Sequence, residues 1–166
     1  MKLSDTFEVT LPGDREIRMT RVFDATPEMV FDAFTNPEIV KRWLLGPEGW
    51  SMPVCEIDLR EGGAFHYVWR SDEDGTEFGI RGNYTEIDSP GYMVHTERFE
   101  GVPDAEGDSI VTNEITGEDG KTRMTMTVLY PSKEARDGAK ASGMETGVAI
   151  SYDRLESIFE EKARAA

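Results

Sequence analysis

Between residues 53 and 130 the chain alternates apolar and polar positions in short runs, separated by turns too short to carry a crossover helix. Parallel strands need a connection of a dozen or more residues, so these runs can only pair antiparallel. The clearest is 64–71, with Phe65, Tyr67 and Trp69 on one face and His66, Val68 and Arg70 on the other. A strand over 53–60 precedes it across Glu61-Gly62-Gly63. Asp72-Glu73-Asp74-Gly75 then reads as a hairpin turn. Strands follow at about 77–87 and, after Ser89-Pro90-Gly91, at 92–99. A polar loop from Glu100 to Asp108 leads to a hairpin of 109–116 and 121–130 about Gly117-Glu118-Asp119-Gly120. Met124, Met126 and Val128 share one face of the last strand.

Two helical regions frame this meander. Residues 15–23 read as a first strand, and Asp24-Ala25-Thr26-Pro27-Glu28 then starts a helix with Thr26 as N-cap and Pro27 at its first position. Pro37 opens a second short helix through Trp43 and Leu44, closed by Gly46-Pro47-Glu48-Gly49. After Pro131, Ser132 caps a short helix over 133–141, and Gly143 begins a longer one reaching about residue 163. Met144, Val148, Ser151, Tyr152, Leu155 and Phe159 recur there at helical spacing. Its other face carries Asp153, Arg154, Glu156, Glu160 and Glu161, which the pattern leaves in water. The fold class is α+β: one curved antiparallel sheet gripping one amphipathic helix.

The 166 residues contain no repeat or linker and read as a single domain over 1–166 with its core at about 15–163. With 18 basic against 33 acidic residues the net charge is −15, which disfavours nucleic acid and anionic membrane surfaces as partners. The charge serves solubility or an acidic docking surface. No apolar run approaches the ~18 residues of a membrane span. The N-terminus lacks the apolar core of a signal peptide, so a cytoplasmic location is expected. The single Cys55 excludes an internal disulfide.

Four segments together resemble a known family. They are Thr20–Ala25 with Pro27–Glu38; Arg42-Trp43-Leu44-Leu45-Gly46-Pro47-Glu48-Gly49-Trp50; Asp58–Phe65 with Gly82-Asn83-Tyr84-Thr85-Glu86-Ile87; and Gly143-Met144-Glu145-Thr146-Gly147 with Ser151–Leu155. They resemble the START-like (helix-grip) superfamily, and within it the Aha-type domains, the family of the activator of heat-shock-protein ATPase. The resemblance implies a helix-grip fold with a deep pocket between sheet and C-terminal helix. Val148 stands where such domains often carry Trp after the helix glycine. The fold alone does not name a function, because it hosts carriers, cyclases, hydrolases and co-chaperones alike.

Few residues suggest covalent chemistry. His95 shares a strand face with Met93, Glu97 and Phe99, and Glu97 could orient its imidazole. With Tyr84 these are the catalytic candidates, set against a reading as polar cavity lining. His66 alternates opposite Phe65 and should point outward. Cys55 alternates with Ile57 and Leu59 and reads as packing. Two histidines without ligand spacing argue against a metal site, and Asp72–Gly75 lacks the remaining ligands of a calcium loop. Gly62-Gly63 and Gly143-x-x-x-Gly147 lack the context of a phosphate-binding loop. No cofactor is implied.

The aromatic and thioether residues are the informative set. Trp43, Trp50, Phe65, Tyr67, Trp69, Tyr84, His95, Met126, Met144, Val148 and Tyr152 are expected to line a ligand cavity. By composition alone the same residues equally suit a solid core. Three functions follow: a non-catalytic domain holding a hydrophobic small molecule, a co-chaperone-like module contacting a chaperone or other protein, or a cyclase- or hydrolase-type enzyme using the same cavity.

Overall fold

The computed structural model describes residues 2–101 and 107–165. After a 3-10 turn at Leu3–Thr6, the elements are β1 (Glu8–Thr10), β2 (Glu16–Phe23), α1 (Pro27–Thr35), α2 (Pro37–Trp43), β3 (Trp50–Ile57), β4 (Ala64–Ser71), β5 (Glu77–Asp88), β6 (Tyr92–Glu100), β7 (Ser109–Glu118), β8 (Lys121–Leu129), α3 (Lys133–Ala141) and α4 (Met144–Ala165). The eight strands form one antiparallel sheet in the order β1-β2-β8-β7-β6-β5-β4-β3. Only the β2–β8 pairing departs from sequence order, and it places the first long strand beside the last. The expected helix-grip architecture is present. The central part of the polar loop expected over 100–108 lies outside the described residues.

Local signals account for most of the boundaries. Thr26 accepts a hydrogen bond from the Met29 amide and Pro27 opens α1. Asn36 caps α2 in the same way through the Glu38 amide, and Ser132 caps α3 through the Ala135 amide. The β7–β8 hairpin turns on Asp119 and Gly120 at φ 52° and 79°, the left-handed pair that the tightest hairpins require.

Four expectations need correction. A short edge strand, β1, pairs with β2 through Glu8↔Thr20 and its neighbours. Three residues carry too little periodicity to be read in advance. The strand expected at 53–60 runs instead over Trp50–Ile57. The chain turns already at Asp58, whose carbonyl accepts from the Arg60 amide and would collide with a Cβ at Gly63. Leu59 is therefore exposed rather than in line with Cys55. Finally, Glu156 is buried rather than solvated, and Ile158 joins the buried face of α4. The cause lies across the interface. Arg21, on the inner face of β2, is 1% exposed and reaches Glu156 and Asp153, each at 3.1 Å.

The main core lies between the concave face of the sheet and α4. Tyr152, Leu155 and Phe159 pack there with Phe23, Trp43 and the α1 residues Val30 and Phe31. Tyr152 sits at the centre of an aromatic cluster, with Phe23, Phe34 and Trp43 rings 5.4–6.0 Å away. The Trp43 indole N–H donates to the Ala33 carbonyl and the Trp69 indole N–H to the Leu44 carbonyl. The first bond ties α2 to α1 and the second ties the end of α2 to β4, and both indoles line the space beneath α4.

Candidate functional site

The Leu155 end of α4 is packed into the core, whereas Met144, Val148, Ser151 and Tyr152 border a space above the sheet. A cavity of about 180 Å³ opens there. β4 contributes Phe65, Tyr67 and Trp69 at alternate positions, all pointing inward because the strand period is two. β5 and β6 add Ile80, Tyr84, Met93, His95, Glu97 and Phe99, and β8 adds Met126 and Val128. α4 closes the roof with Met144, Val148, Ser151 and Tyr152. A larger open groove of about 420 Å³ adjoins it and shares Leu44, Trp69, Met144, Val148 and Ser151 with it. Val148 therefore stands between groove and cavity.

Of the eleven residues named from the sequence, ten line this cavity, namely Trp43, Phe65, Tyr67, Trp69, Tyr84, His95, Met126, Met144, Val148 and Tyr152. Trp50 does not. It packs edge-on against Phe78 at 5.4 Å and lines the outer groove. Phe99 sits at the rim, 44% exposed.

The polar groups are organised around Phe65, whose ring lies 5.0–5.5 Å from those of Tyr67, Tyr84 and His95. His95 Nε2 is 3.1 Å from Glu97 Oε1. On its other side, Asn113 Nδ2 is 3.2 Å from His95 Nδ1 and also donates to the Met93 carbonyl. That carbonyl fixes which way the amide points, so Nδ1 accepts and Nε2–H donates to the carboxylate. Both ring nitrogens are thus engaged within the protein. The sequence did not single out Asn113. The signal was available as a polar residue between Val111 and Ile115 in the buried row of β7.

Tyr67 and Tyr84 lie close enough to influence each other's ionisation. Burial raises Tyr67 well above the usual phenol range and pushes Tyr84 up to about 12. Burial likewise raises Tyr130 and Tyr152. All four phenols are therefore neutral donors and acceptors at physiological pH. Among the described residues the buried Tyr152 hydroxyl has no hydrogen-bond partner.

The other reactive candidates lie elsewhere. His66 is on the convex face, 2.6 Å from Glu100. Cys55 Sγ lies 3.7 Å from the Pro37 carbonyl, and burial pushes its thiol up to about 11. Among the described residues no group of His, Cys, Asp and Glu is placed to hold a metal ion. No helix among them is long and apolar enough to cross a membrane.

The model of the family described as "Activator of Hsp90 ATPase homolog 1-like protein" matches residues 24–160. The chain belongs to this family. The matched span runs from the start of α1 into the last turns of α4, and so contains every cavity-lining residue. Solved structures agree on the fold. A Rhodobacter sphaeroides protein is 28% identical over 93% of this chain and 98% of its own, with a TM-score of 0.85. Protein Ms6760 from Mycobacterium smegmatis superposes at 0.81 with 22% identity over 93% and 98% of the two chains. An AHSA1 protein from Silicibacter pomeroyi superposes at 0.70 with 20% identity over 89% and 99%. No curated protein matches the sequence. Membership of the family accords with a ligand-binding or co-chaperone-like domain and identifies neither ligand nor partner.

Proposed function

We propose that this domain binds a hydrophobic small molecule in the cavity beneath the N-terminal half of α4, without transforming it. The observation that carries this reading is the cavity itself, an apolar chamber walled by aromatic and thioether side chains. Cores are normally packed to crystal density. A guest would supply the missing contacts. Met126 and Met144 would let the walls adjust to its shape.

The catalytic alternative through His95, Glu97 and Tyr84 draws less support. A general base needs a free lone pair, and both His95 nitrogens already have protein partners. The co-chaperone-like alternative rests on the family description and the charge of −15. A contact made through that charge should weaken steeply with salt.

The test is a thermal-shift screen of small apolar and aromatic compounds on the intact protein. Compounds that fit should raise the melting temperature in a concentration-dependent way. A screen in which nothing of this size does so, alongside a partner recovered from cytosol at low salt only, would favour the protein-interaction reading instead.

A further inference from the structure

Charge is unevenly distributed over the cavity lining. Among the described lining residues Glu97 is the one carboxylate, and none is Lys or Arg. The only ion-pairing partner of Glu97 among the described residues is His95. With Nδ1 accepting from Asn113, the imidazole meets the carboxylate through Nε2–H alone. A carboxylate has about four lone-pair sites, and His95 fills one of them. Glu97 stands 23% exposed at the wet edge of an otherwise apolar chamber, so a cation brought to it need not be stripped of all its water. Phe65, Tyr67 and Trp69 line the same cavity, and aromatic faces attract positive charge.

Size narrows the guest further. An apolar cavity of about 150 Å³ accommodates a benzene ring. At about 180 Å³ this one suits a single ring bearing a short chain. A bound metal ion would need several hard ligands, and Glu97 offers one. An anionic guest such as a fatty or aromatic acid would meet the carboxylate with no counter-charge to offset it.

Resting on the cavity reading above, we propose that the ligand class is a small aryl-alkyl amine in its ammonium form. Its nitrogen donates to Glu97, and its ring lies among Phe65, Tyr67, Trp69 and Met126. Selection by charge is the content of this proposal; occupancy of the cavity is the content of the previous one.

The experiment separates the two with three probes of nearly equal shape. Binding of 2-phenylethylamine, 2-phenylethanol and phenylacetate to the intact protein is measured by calorimetry at neutral pH and moderate salt. The expected order is amine, alcohol, acid, with the amine tighter than the alcohol by about tenfold, which corresponds to about 1.4 kcal/mol. Glu97→Gln should erase the advantage of the amine over the alcohol. Val148→Trp, which narrows the opening between groove and cavity, should weaken both. Amine and alcohol binding equally, or an amine preference that survives in Glu97→Gln, would overturn the charge selection while leaving the cavity reading intact. Amine binding that persists in Val148→Trp would place it on the acidic surface and overturn the proposal too. If none of the three probes binds, both readings fall. Should Glu97→Gln lose its cooperative melt, the preference for amine over acid in the wild-type protein and the Val148→Trp result still decide.

Discussion

Arg21 of β2 and Glu156 of α4 face each other across the core with Nη1 3.1 Å from Oε1, although 135 residues separate them in sequence. Glu156 also accepts from the Asp24 amide, and Arg21 donates to the Val22 carbonyl and stacks its guanidinium over the Phe23 ring. Burial nevertheless raises the Glu156 carboxyl above its usual range, outweighing the pull of Arg21. The pair therefore positions the helix on the sheet at an appreciable desolvation cost.

Breaking this pair from one side is the harsher change. Glu156→Ala leaves a buried guanidinium with only the exposed Asp153 as counter-charge, and should cost about 3–5 kcal/mol in urea unfolding. The double variant Arg21→Met with Glu156→Leu removes both charges and should recover most of that loss. A double variant as unstable as the single one would show that the ion pair contributes more than it costs.

Packing along α4 should be unequal. Leu155 is fully buried against the sheet, and Leu155→Ala should cost about 2–5 kcal/mol. Val148 is half-buried between cavity and groove, so Val148→Ala should cost clearly less. Equal losses would mean that the helix is solidly packed along its whole length, which contradicts the cavity.

The tautomer of His95 follows from its neighbours. Nitrogen-detected NMR should find the proton on Nε2 and a bare Nδ1. In Asn113→Leu the donor to Nδ1 is gone, and the fixed tautomer should give way to a mixture. A wild-type spectrum showing the Nδ1–H form would overturn the hydrogen-bond assignment and reopen the case for His95 as a base.

Cys55 should be a slow thiol. Only the thiolate attacks disulfide reagents, and a thiol at about 11 is almost wholly protonated at neutral pH. Its rate of reaction with such a reagent should keep climbing between about pH 8 and pH 10, where an unperturbed thiol near 8.5 is already levelling off. A plateau by about pH 9.5 would place the thiol in a more polar setting.

Much of this protein was legible before any coordinates. The alternation at Phe65, Tyr67 and Trp69, the caps at Thr26 and Ser132, the helix start at Pro37 and the turn at Asp119-Gly120 are local properties of the backbone, and each determined an element where it was expected. Short connections then left antiparallel pairing as the only sheet, and the stripe on α4 marked the helix face that meets it. Ten of the eleven residues named from the sequence line the cavity: side-chain direction follows from the strand period for those on the sheet and from the helical repeat for those on α4.

Tertiary structure decided what depended on residues remote in sequence. Glu156 looked solvated because its helix position is polar, and only Arg21 approaching from β2 buries it. Asn113 looked like one polar residue in a strand until β6 brought His95 against it and gave the imidazole a single tautomer. Most of all, the same aromatic and methionine side chains suit a solid core or a hollow one. The difference lies in which side chains from the sheet, α2 and α4 meet beneath Val148 and how completely they fill the space between them, which no period along the chain encodes.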